Sequence, residues 1–172
     1  MDTDTATTTD LQLLLRHPKS TDGYQVNQLI ERCKPLDTNS TYCNLLQCLH
    51  FADTCIMAED QADGALLGFI SAYRKPAEPN TFFVWQVAID KRARGQGLAR
   101  TLLNALLESD ACEGVTHLET TITADNAGSW ALFESLNRSQ STGKGERRVL
   151  FDQQRHFSGA SNSEILYRIA LG

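Results

Sequence analysis

Arg92-Ala93-Arg94-Gly95-Gln96-Gly97-Leu98-Ala99 is the segment whose residue types and spacing can do chemistry. It joins an apolar run, Val84-Trp85-Gln86-Val87-Ala88-Ile89, to leucines at helical spacing. A strand–turn–helix of this kind presents unpaired backbone N–H groups at the positive end of a helix dipole, and two glycines let a ligand reach the main chain. Such a turn grips a pyrophosphate. A Walker A loop is excluded, because no Gly-x4-Gly-Lys-Ser/Thr run occurs. A Rossmann fingerprint fails at its third glycine, where Arg100 is too bulky for close helix–strand packing. A tight connection with no ligand uses the same residues, so the turn alone leaves both readings open.

The elements that must position this turn follow from periodicity. Leu11, Leu13 and Leu15 alternate as in a strand ending at His17-Pro18. Thr21 and Asp22 offer N-cap oxygens to a helix with Val26, Leu29, Ile30 and Cys33 on one face, stopped by Lys34-Pro35. A polar loop, 36–41, leads to a second amphipathic helix whose apolar face carries Tyr42, Leu45, Leu46 and Leu49. Residues 55–58 and 66–73 read as a hairpin across the turn 60–64, and Pro76 and Pro79 break the chain before a strand at 82–89. Leu98, Leu102, Leu103, Leu106 and Leu107 line a helix; 117–123 is a strand; 126–136 is a helix with Trp130, Phe133 and Leu136 on one side. A polar linker over 137–146, a short strand at 147–151, a loop containing Gly159 and a last strand at 164–171 complete the chain.

Composition bounds the function. The 172 residues fit one domain over 11–172 after a low-complexity, disordered tail at 1–10. A net charge of −5 argues against a general nucleic-acid binder. No apolar run reaches the roughly 20 residues of a membrane span, and the acidic start is unlike a signal peptide, so a cytoplasmic protein is expected. Five cysteines without a C-x-x-C pair fit reduced, structural thiols better than disulfides or zinc.

The spacing Arg92-x-x-Gly95-x-Gly97 resembles the acyl-CoA signature of the GNAT family of N-acetyltransferases. Asn126-Ala127-Gly128-Ser129-Trp130-Ala131-Leu132-Phe133-Glu134 is similar to that family's second cofactor segment. Periodicity alone gives one mixed sheet, α/β or α+β. The resemblance implies the GNAT fold, an α/β (α+β) architecture with a mixed, strongly twisted central sheet and helices on both faces. It also implies acetyl-CoA as co-substrate, without a metal. In the family the carrier enters where two parallel strands splay, here 82–89 and 117–123. Backbone groups of Val87, Ala88 and Ile89 would then meet the pantetheine arm. Main-chain N–H groups of Arg94, Gly95, Gln96, Gly97, Leu98 and Ala99 would hold the pyrophosphate, with Arg92 and Arg94 adding charge. Asn126, Ser129, Trp130 and Phe133 would complete the cofactor site, although Asn126 is equally a good helix cap. Many members place a proton-donating tyrosine at the position of Phe133, and phenylalanine cannot donate. A thiol with pKa ~8.5 can leave as thiolate near neutrality, and the acid is unassigned. Gln86 stands where some relatives carry a glutamate base, so the base lies elsewhere.

Lys34-Pro35-Leu36-Asp37-Thr38-Asn39-Ser40, together with Tyr42, Phe83 to Ala88 and Glu164 to Ile169, resembles the branch of the family that acetylates 2,4-diaminobutyrate in ectoine biosynthesis. The resemblance spans roughly 11–171 and implies transfer of an acetyl group to the γ-amine. A zwitterionic diamine needs an acid for its ammonium and donors for its carboxylate. Asp37, Thr38, Asn39, Ser40 and Tyr42 supply such groups, Trp85 can wall the aliphatic chain and stack on the cation, and Glu164 is a second carboxylate for ammonium binding or proton removal. Asp37 and Ser40 can instead cap the second helix, and Trp85 can be core. A primary amine with pKa ~10.4 is almost wholly protonated at pH 7, so catalysis needs a carboxylate base, Asp37 or Glu164, and an oxyanion donor, the N–H of Val87. Other small amines, polyamines or protein N-termini are alternative acceptors, and a non-catalytic acyl-CoA-binding module is an alternative of another class. The expected partners are a small diamine, acetyl-CoA and, by resemblance, a second copy in a homodimer, with neither nucleic acid nor membrane.

Overall fold

The computed structural model describes residues 11–140 and 143–172, so the tail expected at 1–10 lies outside the described residues. Twelve elements follow one another: β1 (Leu13–Arg16), α1 (Gly23–Arg32), α2 (Thr41–His50), β2 (Ile56–Asp60), β3 (Leu66–Lys75), β4 (Glu78–Ile89), α3 (Leu98–Leu107), β5 (His117–Ile122), α4 (Ala127–Gln140), β6 (Glu146–Phe151), α5 (Gln153–Phe157) and β7 (Glu164–Ala170). One seven-stranded sheet runs in the order β1-β2-β3-β4-β5-β7-β6. All neighbours are antiparallel except β4 and β5. Helices cover both faces, as the resemblance implies. Leu98, Leu102, Leu103 and Leu106 of α3 and Phe133 and Leu136 of α4 pack with Ile70, Phe82, Val84 and Leu118 on one face. Val26, Leu29, Ile30 and Cys33 of the α1 region pack with Met57, Phe69 and Ala88 on the other. Arg100 ties α3 to α4 through Ser135 (2.9 Å) and Ser139 (2.7 Å).

β4 controls what the sheet offers. Its ladder with β3 matches Ser71 to Gln86 and Ala72 to Val84, leaving Trp85 as an extra residue, a bulge. Before it, Val84 faces the α3–α4 core; after it, Val87 and Ile89 do, while Ala88 faces α1. The parallel ladder with β5 runs from Thr81↔His117 to Val84↔Thr120 and stops there. Thr120 Oγ1 donates to the Val84 carbonyl at 3.0 Å at the point where it stops. Beyond it the two strands part, and the splay expected between them is present.

Four readings of the sequence need correction. The apolar row of α2 points outward, with Tyr42 68% exposed and Leu45, Leu49 and nearby Phe51 also exposed, while Asn44, Gln47 and Cys48 are buried. Periodicity finds a stripe but not the side it faces, and here a hydrogen-bonded amide cluster takes the inner side. Gly23 opens α1 against this helix, and a Cβ there would come within 2.8 Å of Leu45 Cα, so the two backbones meet closely. Asp22 does not cap α1; its carboxylate is taken by Arg16 (2.8 Å) and by the Lys19 N–H (2.7 Å). β4 begins before Pro79, because the register shift between Arg74 and Lys75 leaves proline with no ladder bond to donate. The loop after β6 contains α5, whose first turn donates to the Asp152 carboxylate through the N–H groups of Gln154 and Arg155. Asp152 was the available helix-start signal.

Glu119 staples the sheet on the α1–α2 side. Its side chain is 3% exposed and accepts from Lys75 (2.9 Å) on β3 and Arg168 (2.5 Å) on β7; Glu78 also pairs with both cations. Glu119→Ala would leave two cations facing a vacated polar site. A loss of about 3 kcal/mol is expected, measured by urea unfolding with the slope unchanged.

Candidate active site

The open edge of β4 carries a defined row of main-chain groups. Asp90 N–H donates to the Leu67 carbonyl of β3 (2.8 Å). Successive residues alternate sides, so the N–H groups of Ala88 and Gln86 also turn to β3, and those of Ile89 and Val87 turn into the splay. The Ile89 carbonyl on that side already accepts from Arg94 Nε (3.1 Å) and Cys33 Sγ (3.2 Å). Val87 keeps its N–H and carbonyl toward the gap. Ala88, expected to meet the pantetheine arm, turns its backbone to β3 and buries its side chain beneath α1, so it presents neither to the gap.

The turn that follows is built from backbone. Asp90 caps a single helical turn by accepting from Arg92 N–H (2.9 Å). Gly95 and Gly97 have φ of +72° and +76°, and a Cβ on either would meet nothing within 4 Å. Glycine is required there by backbone conformation rather than by space inside the protein. Gly97 is the N-cap of α3 with no side-chain cap, and the first helical bond runs from Thr101 N–H to Gly97 O (3.0 Å). The N–H groups of Leu98, Ala99 and Arg100 thus have no acceptor within the helix. They form an anion seat at a helix of three turns.

The charged side chains around this seat are engaged elsewhere. Arg92 pairs with Asp60 (3.2 Å) and Asp63 (3.3 Å), Arg94 folds back on β4, and Gln96 donates to the Arg92 carbonyl (3.1 Å). Downstream, Asn126 Oδ1 accepts from Ser129 N–H (3.1 Å) and caps α4, and Trp130 Nε1 donates to the Thr123 carbonyl (3.1 Å). The Trp130 ring lies 5.5 Å from Tyr167 and beneath the Arg147 guanidinium (4.2 Å), which also pairs with Glu134. Phe133 is buried in the α3–α4 core. Arg147 therefore belongs to a packed cluster beside α4.

On the opposite face, where the strands part, the acceptor side of the cleft assembles. Trp85, 44% exposed at the bulge, stands edge-on to Tyr73 (6.1 Å, 86°), which also contacts Phe83 and Phe51. The loop 37–40 is tied to the next residue of β4, with Gln86 Nε2 donating to the Asp37 carbonyl (2.9 Å) and Asn39 Nδ2 reaching Gln86 Oε1 (3.4 Å). Asp37 and Thr38 are exposed, and Ser40 caps α2 by accepting from Cys43 N–H (3.1 Å). Tyr42, the second residue of α2, is exposed beside the loop's end. Glu164, at the start of β7, is partly buried, and desolvation raises its pKa above the ordinary glutamate value. A hydrogen bond from Thr121 opposes that rise, and the Asp37 charge adds to it. Asp37 and Glu164 are thus near enough to sense one another from opposite jaws of the cleft.

Gln86 and Thr121 are site residues whose part the sequence did not disclose. Thr121 alternates with Glu119 on β5 and so shares its face, a period-two signal that was available. The bulge that aims Gln86 at the loop left no mark in the residue pattern. Burial pushes the Cys48 and Cys55 thiols up to about 12 and that of Cys112 up to about 11. Among the described residues no group of three or more His, Cys, Asp or Glu side chains is arranged to hold a metal, and no helix is long and apolar enough to cross a membrane.

A parallel strand pair that opens beside a glycine-bearing, backbone-lined helix start suits a phosphorylated carrier with a peptide-like arm. The family model of the GNAT acetyltransferases matches residues 23–137. The chain belongs to the GNAT acetyltransferase family. This GNAT chain is 47% identical over 161 residues to the L-2,4-diaminobutyric acid acetyltransferase of Vibrio cholerae, covering 94% of the chain and 91% of that relative. It is 45% identical over 157 residues to the enzyme of the same name from Methylotuvimicrobium alcaliphilum, covering 91% and 90%. Among solved structures, the diaminobutyrate acetyltransferase of Paenibacillus lautus, in complex with L-2,4-diaminobutyric acid and coenzyme A, superposes with a TM-score of 0.87. The two are 37% identical, covering 93% of this chain and 95% of that one. The chain is an acetyl-CoA-dependent N-acetyltransferase.

Gly97→Val tests the anion seat. The strain of a β-branched residue at φ +76°, about 1–2 kcal/mol, is relieved by re-aiming the amides of the turn. Calorimetric titration should show CoA binding weakened roughly tenfold, with the KM for the acceptor amine unchanged.

Proposed function

We propose that the chain transfers the acetyl group of acetyl-CoA to the γ-amine of L-2,4-diaminobutyrate, the acetylation step of ectoine biosynthesis. The observation that carries this reading is the approach of Asp37 to Glu164, close enough for one charge to act on the other, in a chain so similar along its length to diaminobutyrate acetyltransferases. The free N–H groups at the start of α3 seat the diphosphate, and the backbone of Val87 and Ile89 receives the pantetheine arm. Arg92, neutralised by Asp60 and Asp63, orders the turn and does not itself grip phosphate.

Asp37 takes the α-ammonium and the donors of Thr38 and Asn39 take the carboxylate, so the other end of the diamine points inward past Trp85. The α-amine is the less basic of the two and would react first in free solution; holding it away from the thioester is what selects the γ-position. Glu164 removes the proton from the γ-ammonium. Its raised pKa brings it nearer to that of the amine. The Val87 N–H stabilises the negative charge developing on the carbonyl oxygen. Phe133 offers no proton, so the sulfur departs as thiolate.

A cytoplasmic homodimer belongs to the same proposal, and the exposed row of Tyr42, Leu45 and Leu49 supports self-association. Light scattering should return twice the mass of the chain, and a monomer at micromolar concentration would remove this part.

Asp37→Ala should raise the KM for diaminobutyrate at least tenfold and that for acetyl-CoA less than twofold; equal effects would take Asp37 out of the acceptor site. If Glu164 is the base, kcat/KM falls as pH drops through its raised pKa, so the acid limb lies above that of an ordinary glutamate. Glu164→Gln should lower kcat at least a hundredfold and abolish that limb. A limb that survives the substitution would assign the base elsewhere.

A further inference from the structure

The seam between α1 and α2 is lined with amides where leucines would be expected. Asn27 of α1 and Asn44 and Gln47 of α2 are all buried. Asn27 Nδ2 donates both of its hydrogens, one to Asn44 Oδ1 (3.0 Å) and one to the Asn39 carbonyl (2.9 Å). Asn44 Nδ2 in turn donates to Gln47 Oε1 (2.9 Å). The row ends with Gln47 Nε2 buried and unpartnered among the described residues. Stability alone does not account for this seam. An apolar one would have left no orphaned donor, while Leu49 of the same helix is left exposed.

What the amides hold is the loop over the cleft. Among the described residues, Asp37, Thr38 and Asn39 make no backbone–backbone hydrogen bond. Their main chain is fixed by two side-chain amides from different elements. Gln86, aimed by the bulge of β4, takes the Asp37 carbonyl from below, and Asn27 takes the Asn39 carbonyl from behind. Asn44 fixes the orientation of Asn27, and Gln47 fixes that of Asn44. A fully oriented amide row admits one geometry where a greasy seam admits several.

Resting on the diaminobutyrate reading, we propose that Asn27 and Gln86 are positioning residues that clamp the 37–39 loop, and that this clamp enforces γ- over α-acetylation. Asn44 and Gln47 serve it by orienting Asn27. With the clamp intact, the Asp37 carboxylate stays at one position relative to Glu164, and only the longer arm of the diamine reaches the thioester. With one carbonyl released, the loop lifts and the α-amine, richer in its neutral form, gains access.

The test uses the full-length enzyme with Asn27→Ala and Gln86→Met, assayed with diaminobutyrate and acetyl-CoA, the acetyl position being read by NMR of the product. Each variant should raise the KM for diaminobutyrate at least tenfold, leave that for acetyl-CoA within twofold, and yield a detectable fraction of the α-acetyl isomer. Unchanged KM values, or a parallel rise in both with γ-product alone, would overturn the clamp. If Asn27→Ala does not fold, Gln86→Met decides by itself, since Gln86 lies at the cleft rather than in the seam. Failure of the wild-type enzyme to acetylate diaminobutyrate would remove the functional reading and the clamp with it. Wild-type activity with indifferent variants would remove only the clamp.

Discussion

The bulge at Trp85 makes one strand serve two faces. A regular β4 would carry Val84, Gln86 and Ala88 on one face and Trp85, Val87 and Ile89 on the other. The extra residue resets the alternation, so that Val84, Val87 and Ile89 share the α3–α4 core while Gln86 and Ala88 face α1 and its loop. The same irregularity falls one residue past the last pair with β5. Sheet closure, the open main-chain row at Val87 and the aim of Gln86 thus depend on a single local deviation. Thr120, bonded to Val84 O, and the Glu119 cluster hold the paired half of these strands firmly. The opening is confined to the other half.

Two kinds of recognition meet in this gap. On the α3 side the groups on offer are neutral: peptide N–H donors and two glycines in left-handed conformation. On the α1–α2 side they are ionisable or aromatic: Asp37, Glu164 and Trp85. The division suits a carrier common to many acetyltransferases, gripped by backbone, and an acceptor particular to one branch, gripped by side chains on a loop that the sequence is free to vary.

Much of this was legible in the residues. The turn at 92–99 disclosed its strand and its helix, because glycine spacing and helix starts are local and carry their own physics, while its ligand class came from the resemblance. The strands at 117–122 and 164–170 were equally plain from β-branched alternation. The outward face of α2 was not, since a periodic stripe has no sign: Leu45 and Leu49 satisfy the pattern whichever way they point, and only Asn27 across the seam decides. The engagement of Arg92 by Asp60 and Asp63 was hidden as well, since the partners are about 30 positions apart and meet only through the hairpin.

The pairing of Arg92 has a bearing on the ionic conditions the enzyme can tolerate. A phosphate site made of guanidinium and ammonium groups loses affinity as electrolyte accumulates, because mobile ions screen each charge. Peptide dipoles at a helix start are screened too, but they act at contact distance, within the first turn. With Arg92 already paired to Asp60 and Asp63, the α3 seat relies less on free cations, and more on backbone donors at contact range, than a cluster of unpaired arginines would.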